Sequence, residues 1–209
     1  MRRRALLAGI LSAVPLVAGA QTPTAQDRAD LARVETYLNG LRALKARFTQ
    51  VAPDGAISQG LAWIQRPGRM RFQYDAPSPL LLVAGRGLVV YYDRELEQTT
   101  NIPIGETPLG ILLRDDLSLS GGDVKVVRVE RLPGQLQVTV LRSATPADGT
   151  LTLIFSDPPL VLRQWIVLDA QRQVTRVSLN NIETGGSFDQ DMFSFINPKF
   201  LKGQDRRYQ

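Results

Sequence analysis

Apolar positions along the chain follow two different periods. Between residues 31 and 48, Leu31, Val34, Leu38, Leu41, Leu44 and Phe48 recur at spacings of three and four. Arg33, Glu35, Arg42, Lys45 and Arg47 mostly fall elsewhere around the wheel. This spacing predicts an amphipathic helix of about five turns, with Asp27 or Asp30 as its cap. Beyond the Pro53-Asp54-Gly55 turn the period changes to two. Met70, Phe72 and Tyr74 alternate with Arg69, Arg71 and Gln73, so one face is apolar and the other polar and cationic. A strand over 57–65 precedes this one, and Arg66-Pro67-Gly68 forms the corner between them. Ile64 and Arg66 share parity. If Ile64 faces an interior, Arg66 stands at the mouth of that interior.

Further strands are expected over 80–84, 88–92 and 98–102, with Gly85-Arg86-Gly87 and Asp93-Arg94-Glu95 as turns. The rhythm breaks at 105–113. There Thr107 is a natural N-cap, Pro108 suits the first helical position, and Leu109, Ile111, Leu112 and Leu113 make a short apolar helix. Strands resume over 124–130, 136–140, 151–155, 161–168 and 174–182. Leu136 and Val138, Leu153 and Phe155, and Val177 and Leu179 each share a face. Turn signals at close, regular intervals predict an antiparallel meander of about ten or eleven strands. No helix alternates with the strands, which excludes a doubly wound parallel sheet. A bent sheet of this size must hide its concave face, by closing as a barrel or by taking helices as a plug. The expected fold is therefore mainly β, an incomplete antiparallel barrel covered by helices. Its concave face would carry Ile64, Met70, Phe72, Tyr74, Leu136, Val138, Leu153, Phe155, Val177 and Leu179. Periodicity does not distinguish a filled core from a hollow one.

The chain has 209 residues, of which 44% are hydrophobic and 22% charged, as in a globular protein. The first twenty residues stand apart: Arg2, Arg3 and Arg4, an apolar run from Ala5 to Val17, then Ala18-Gly19-Ala20. This is the pattern of a cleavable export signal. It leaves residues 21–209 as a single domain, and the first position after Ala20 is Gln21 rather than a lipidated cysteine. The export route, general or twin-arginine, is not specified by Arg3-Arg4. Without the three arginines, Lys+Arg falls from 25 to 22 against 20 acidic residues, a net charge of +2. A nucleic-acid partner loses its electrostatic support.

Candidate chemistry is sparse. The chain has no cysteine and no histidine, so thiolate sites, histidine-ligated metals and Ser-His-Asp triads are excluded. No metal or other cofactor is expected. Adjacent Asp115 and Asp116 diverge and do not make a convergent acid–base pair. Arg69 and Arg71 lie on the opposite face from Phe72 and Tyr74, whereas a base-stacking platform needs them together. What remains is apolar capacity.

An ordered set of short motifs resembles a known family. Phe48-Thr49-Gln50, Gly60 with Trp63, Arg66-Pro67-Gly68-Arg69-Met70-Arg71-Phe72, Tyr74 and Pro77 come first. Tyr92-Asp93, Glu97-Gln98, Thr107-Pro108 and Phe193-Ser194-Phe195 follow. Together they resemble the periplasmic outer-membrane lipoprotein carriers, the LolA family. The resemblance implies an unclosed barrel whose helices form a lid over an apolar cavity. Leu38, Leu41 and Phe48 would belong to one lid helix and Leu109 and Leu112 to the other. It implies that Arg66 latches the lid in the closed state. It implies a monomeric, non-enzymatic carrier of triacylated lipoproteins between an inner-membrane ATP-driven transporter and an outer-membrane receptor. The alternatives are a lipid- or lipoprotein-sensing module of envelope-stress regulation on the same half-barrel, and an enzyme acting on lipid.

Overall fold

The computed structural model describes residues 23–196. The expected signal segment (1–20) and the stretch 197–209, with Phe200, lie outside these residues. Helix α1 spans Ala25–Gly40. Its cap is Thr24 rather than Asp27 or Asp30. The Thr24 hydroxyl accepts the Asp27 N–H at 3.1 Å, and the Asp27 carboxylate accepts the Thr24 N–H at 2.8 Å, so two orphan donors are satisfied reciprocally. The helix ends at Asn39-Gly40, and the cap residue Leu41 is already extended. It is therefore shorter than the five-turn helix expected. Residues 43–51 form strand β1 (Ala43–Val51) instead. Leu41, Leu44 and Phe48 keep a helical spacing, but Leu44, Ala46 and Phe48 also alternate with Lys45, Arg47 and Thr49. The chain follows the second period, burying the first three and leaving Lys45 and Arg47 part-exposed. Glycine is a poor helix former and marks the switch. Phe48 is thus a sheet residue, not a lid residue.

The remaining strands are β2 (Ile57–Gln65), β3 (Arg69–Tyr74), β4 (Leu80–Gly85), β5 (Leu88–Asp93), β6 (Gln98–Pro103), β7 (Val124–Leu132), β8 (Gln135–Arg142), β9 (Gly149–Ser156), β10 (Val161–Asp169) and β11 (Val174–Thr184). All pair antiparallel in one 11-stranded sheet, in the order β6-β5-β4-β3-β2-β1-β11-β10-β9-β8-β7. The sheet is unclosed, and among the described residues β6 and β7 are its two outermost strands. The β1–β11 pairing joins two meanders, and Phe48 lies opposite both Gly60 on β2 and Leu179 on β11. Between the meanders runs the crossing segment, where Pro108–Ile111 forms a single 3-10 turn capped by Thr107. The second helix expected from the sequence is this one short turn.

α1 covers the concave face over the β8–β10 half of the sheet. Tyr37 meets Phe155 edge-on at 5.7 Å, and its hydroxyl accepts the Leu162 N–H at 3.1 Å. Val34 and Leu38 are fully buried beneath the helix. On the convex face, the segment bearing Phe188, Phe193 and Phe195 packs over β3–β5. Arg71 donates to the Met192 carbonyl at 3.1 Å, and Phe195 stacks on Tyr92 at 5.1 Å.

Gly60 is required by space. A Cβ there would lie 2.1 Å from the Gln73 carbonyl oxygen and 2.7 Å from the Phe48 ring. Because the nearest atom is backbone, the strand must shift to admit it. Gly60→Ala is expected to lower unfolding free energy by about 1–3 kcal/mol, the usual cost of overpacking, as read from the urea midpoint at unchanged m-value.

Candidate functional site

The corner after β2 carries a buried cation. Arg66 is 3% exposed. Its Nε donates to the Arg114 carbonyl at 2.7 Å, Nη1 to the Leu38 carbonyl, and Nη2 to the Asn39 Oδ1 at 3.4 Å. Leu38 and Asn39 lie in the last turn of α1, where carbonyls lack helical partners and the dipole favours a cation. Two residues on, the Gly68 N–H donates to the Leu113 carbonyl at 2.8 Å. The Arg66-Pro67-Gly68 corner therefore grips both covering elements, the end of α1 and the strand of chain after the 3-10 turn. Asn39 joins those two elements directly, exchanging hydrogen bonds with the Leu117 N–H at 3.0 Å and carbonyl at 2.9 Å. Burial, and secondarily the charge of Arg42, pull the Arg66 guanidinium below its ordinary pKa. A guanidinium remains charged in a protein nonetheless.

The N-terminal part of α1 is held differently. Asp27 and Asp30 pair with Arg131 of β7 at 2.8 and 2.6 Å, and Arg33 pairs with Asp157 at 2.6 Å. One end of the helix is thus fastened by a network at the surface and the other by a buried guanidinium.

Beside the 3-10 turn, over the half of the face that α1 leaves uncovered, lies a cavity of about 500 Å³. Met70, Phe72, Leu82 and Val89 line it from β3–β5, Trp165 and Val177 from β10 and β11, and Pro108 and Leu109 from the 3-10 turn. Its rim is polar, with Gln50, Glu106, Thr107, Asp148, Asp169 and Gln171. Trp165 closes its inner end against Phe72, ring centroids 6.0 Å apart. An apolar interior with a wet rim suits an amphiphile. Among the described residues no cluster of His, Cys, Asp or Glu is placed to hold a metal.

Of the residues expected on the concave face, the structure brings Met70, Phe72 and Val177 to this cavity. Ile64, Tyr74, Leu136, Val138, Leu153, Phe155 and Leu179 do not line it, and are packed into the core. The face is shared, but α1 and the 3-10 turn lie directly on the β8–β10 half and fill it. Tyr74 is taken up by Phe48, 5.1 Å away, and donates its hydroxyl hydrogen bond to Gln50 at 2.9 Å. Burial pushes the Tyr74 phenol above its ordinary pKa. Leu38 and Leu41 sit at the end of α1, and both are buried. Leu112 is buried beside Arg66's partners, whereas Leu109 faces the cavity. Sequence reasoning missed Trp165, Leu82, Val89 and Ile102 as lining. The parity of Val89 with Tyr91 and the apolar run over β4 carried that signal.

A model of the outer-membrane lipoprotein carrier family LolA matches residues 39–196. An outer-membrane lipoprotein carrier protein of Azotobacter vinelandii is 30% identical over 194 residues, covering 88% of this chain and 91% of that one. The carrier protein of Pseudomonas aeruginosa is 28% identical, with 88% and 91% covered. An uncharacterised protein of Rickettsia prowazekii is 24% identical, covering 87% and 84%. Among solved structures, a LolA-superfamily protein from Nitrosomonas europaea superposes with a TM-score of 0.43 at 9% identity, over 79% of this chain and 97% of that one.

The ion network at α1 has a pH signature. Hydrogen bonds from Arg131, then Thr24, hold the Asp27 carboxyl at about 2, below its ordinary 3.8, and Arg33 likewise lowers Asp157. A carboxylate whose folded pKa is depressed stabilises fully above the unfolded value and ceases to as pH falls through the folded one. Fastening of α1 is therefore expected to weaken from pH 3.8 down to about 2. Amide exchange in the first half of α1 should rise across that window in the native chain, and Arg131→Ala should flatten the rise.

Proposed function

The chain belongs to the outer-membrane lipoprotein carrier (LolA) family, and from that premise we propose that it is a periplasmic, non-enzymatic carrier of lipoproteins. The observation that carries the proposal is the largely apolar cavity of about 500 Å³ bordered by the 3-10 turn, a few residues before Arg114, whose carbonyl accepts from Arg66. Residues 1–20 serve as a cleavable export signal and 21–209 as the carrier domain. The cargo is a triacylated lipoprotein, received from an ATP-driven transporter of the inner membrane and passed to an outer-membrane receptor.

The physical demand on such a carrier is severe. Exposing acyl chains to water costs about 0.8 kcal/mol per methylene, so about 12 kcal/mol for a sixteen-carbon chain. Met70, Phe72, Leu82, Trp165, Val177 and Leu109 offer the replacement surface. At roughly the 30 Å³ share of one water molecule per carbon, one such chain fills most of the cavity. A triacylated cargo therefore needs the covers to move. Arg66 is the latch: opening releases its hydrogen bonds to α1 and to Arg114, and closing in the empty state restores them. That restored bonding adds driving force to release, since each charge-assisted bond is worth about 1.5–3 kcal/mol.

The purified protein, incubated with inner-membrane vesicles and ATP, should return from the mixture with an acylated lipoprotein visible by mass spectrometry. Recovery of the bare chain from vesicles that release lipoproteins to a known carrier would sink the proposal. Arg66→Leu should still accept cargo but transfer it to receptor at least tenfold more slowly, because the closed empty state is no longer favoured. Unchanged transfer would remove the latch role. Leu109→Asp, which places a charge inside the cavity, should instead abolish uptake.

A further inference from the structure

The cavity wall is not apolar throughout. Met70, Phe72, Leu82 and Trp165 offer an acyl chain no hydrogen bond, but Gln50 and Tyr91 interrupt them. Both stand on strands, and alternation turns both inward. Gln50 ends the row Ala46, Phe48, Gln50 on β1. Tyr91 shares the inner face of β5 with Val89, whereas Tyr92 turns to the convex face and stacks on Phe195. Tyr91 is 41% exposed, yet burial pushes its phenol above the ordinary pKa. A side chain both accessible and enclosed is one that faces a hollow.

Tyr74 relates these two residues to each other. Its hydroxyl donates to Gln50 Oε1 at 2.9 Å, and its phenol, raised first by burial, is raised further by the nearby Tyr91. The bond from Tyr74 steadies the Gln50 side chain and takes up the oxygen of its amide. Two amide N–H groups are left as donors, and the Tyr91 hydroxyl is a third. None of the three meets an acceptor among the described residues. Donors carried on strands hold their positions better than those on loops. Charge decides which acceptor suits them. Glu106, Asp148 and Asp169 are the charged residues of the lining, and no Lys or Arg joins them. A phosphate or carboxylate is repelled by such a wall, and an uncharged carbonyl oxygen is not.

We propose that Gln50 and Tyr91 form a carbonyl subsite, which recognises the ester joining an acyl chain to glycerol. The inference rests on the carrier reading above and deepens it by naming what the cavity binds besides apolar length. Neutral donors suit a carrier. The same carbonyl is hydrogen-bonded in water, so the subsite selects between lipids with little gain in overall affinity.

The test compares two lipids on the full native chain, by displacement of an uncharged fluorescent dye. Glycerol monopalmitate and hexadecylglycerol differ in one carbonyl, since the second is the ether. Apolar transfer alone favours the ether, which has less polar surface to desolvate. The ester should nonetheless bind about tenfold more tightly, the effect of one or two hydrogen bonds. Tyr91→Phe removes only the hydroxyl, and should weaken the ester at least threefold while leaving the ether unchanged. Gln50→Met combined with Tyr74→Phe, which leaves no orphaned phenol, should do the same. In the infrared, an isotope-labelled ester carbonyl should absorb at the lower frequency of a hydrogen-bonded ester, and move up in Tyr91→Phe. Equal binding of ester and ether, or the band of a free carbonyl in the native chain, would overturn the subsite and leave the carrier reading intact. An ester preference kept by both variants would place the donors elsewhere and overturn the assignment. Phosphatidylglycerol carries the same ester beside a phosphate and separates the two sources of the chemistry. It should bind at least tenfold more weakly than a triacylated cysteine amide. Tighter binding of the phospholipid would leave ester recognition standing and remove the carrier reading. If no acylated probe displaces the dye, both fall.

Discussion

The arrangement depends on one guanidinium taken out of water. Desolvating Arg66 costs several kcal/mol, and only good hydrogen bonds offset such a cost. The carbonyls of Leu38 and Arg114 and the amide of Asn39 supply them. These acceptors are not spare: the last carbonyls of a helix need donors from outside the helix. Each side of the contact therefore repairs a deficiency of the other. The bond is large in gross terms and modest in net, because both partners would be well hydrated if parted. An apolar residue at the same corner would offer no such exchange with water. A cation there makes the seating of α1 and of the 105–119 segment on this corner specific.

The same sheet face serves two ends. Over β8–β10 it is an ordinary core, with Tyr37 against Phe155 and Val34 and Leu38 fully buried. Over β3–β5 and the neighbouring part of β10–β11 it is left hollow, and Phe72 and Trp165 stand at the boundary. The filled half supplies stability, which allows the other half to go without close packing. A cavity lined by apolar groups forfeits dispersion contacts, so it persists only where the surrounding sheet is continuous. The β1–β11 pairing provides that continuity across the seam between the two meanders.

Much of the fold was legible from alternation alone. Ten of the eleven strands were marked by apolar parity and by turns at Gly, Pro and Asp, as was the Thr107 cap. β1 was lost because Leu44 and Phe48 satisfy both periods, and only the tertiary pairing with β2 and β11 decides between them. The cavity was partly legible. Met70, Phe72 and Val177 were named from parity, but parity assigns a face and not its neighbours. Which half of that face α1 covers is set by Arg131, Asp157 and Tyr37, residues far apart in sequence. Arg66 was placed at the mouth by its parity with Ile64, whereas its partners Leu38 and Arg114 lie 28 and 48 residues away and left no local trace.

On the carrier reading, capacity and release are set against each other in the size of the cavity. At about 500 Å³ it matches roughly one long acyl chain, so on the carrier reading a cargo with three must displace α1 or the 105–119 segment. The free energy gained by burying the second and third chains is then reduced by the hydrogen bonds that Arg66 gives up. Affinity falls without any loss of apolar surface, and the difference is returned when the cargo leaves and the covers close. A carrier with a ready-made cavity for all three chains would bind more tightly and let go less easily. On the carrier reading, the small cavity and the buried arginine are two aspects of one device, and changing either alone would upset the balance between holding and handing on.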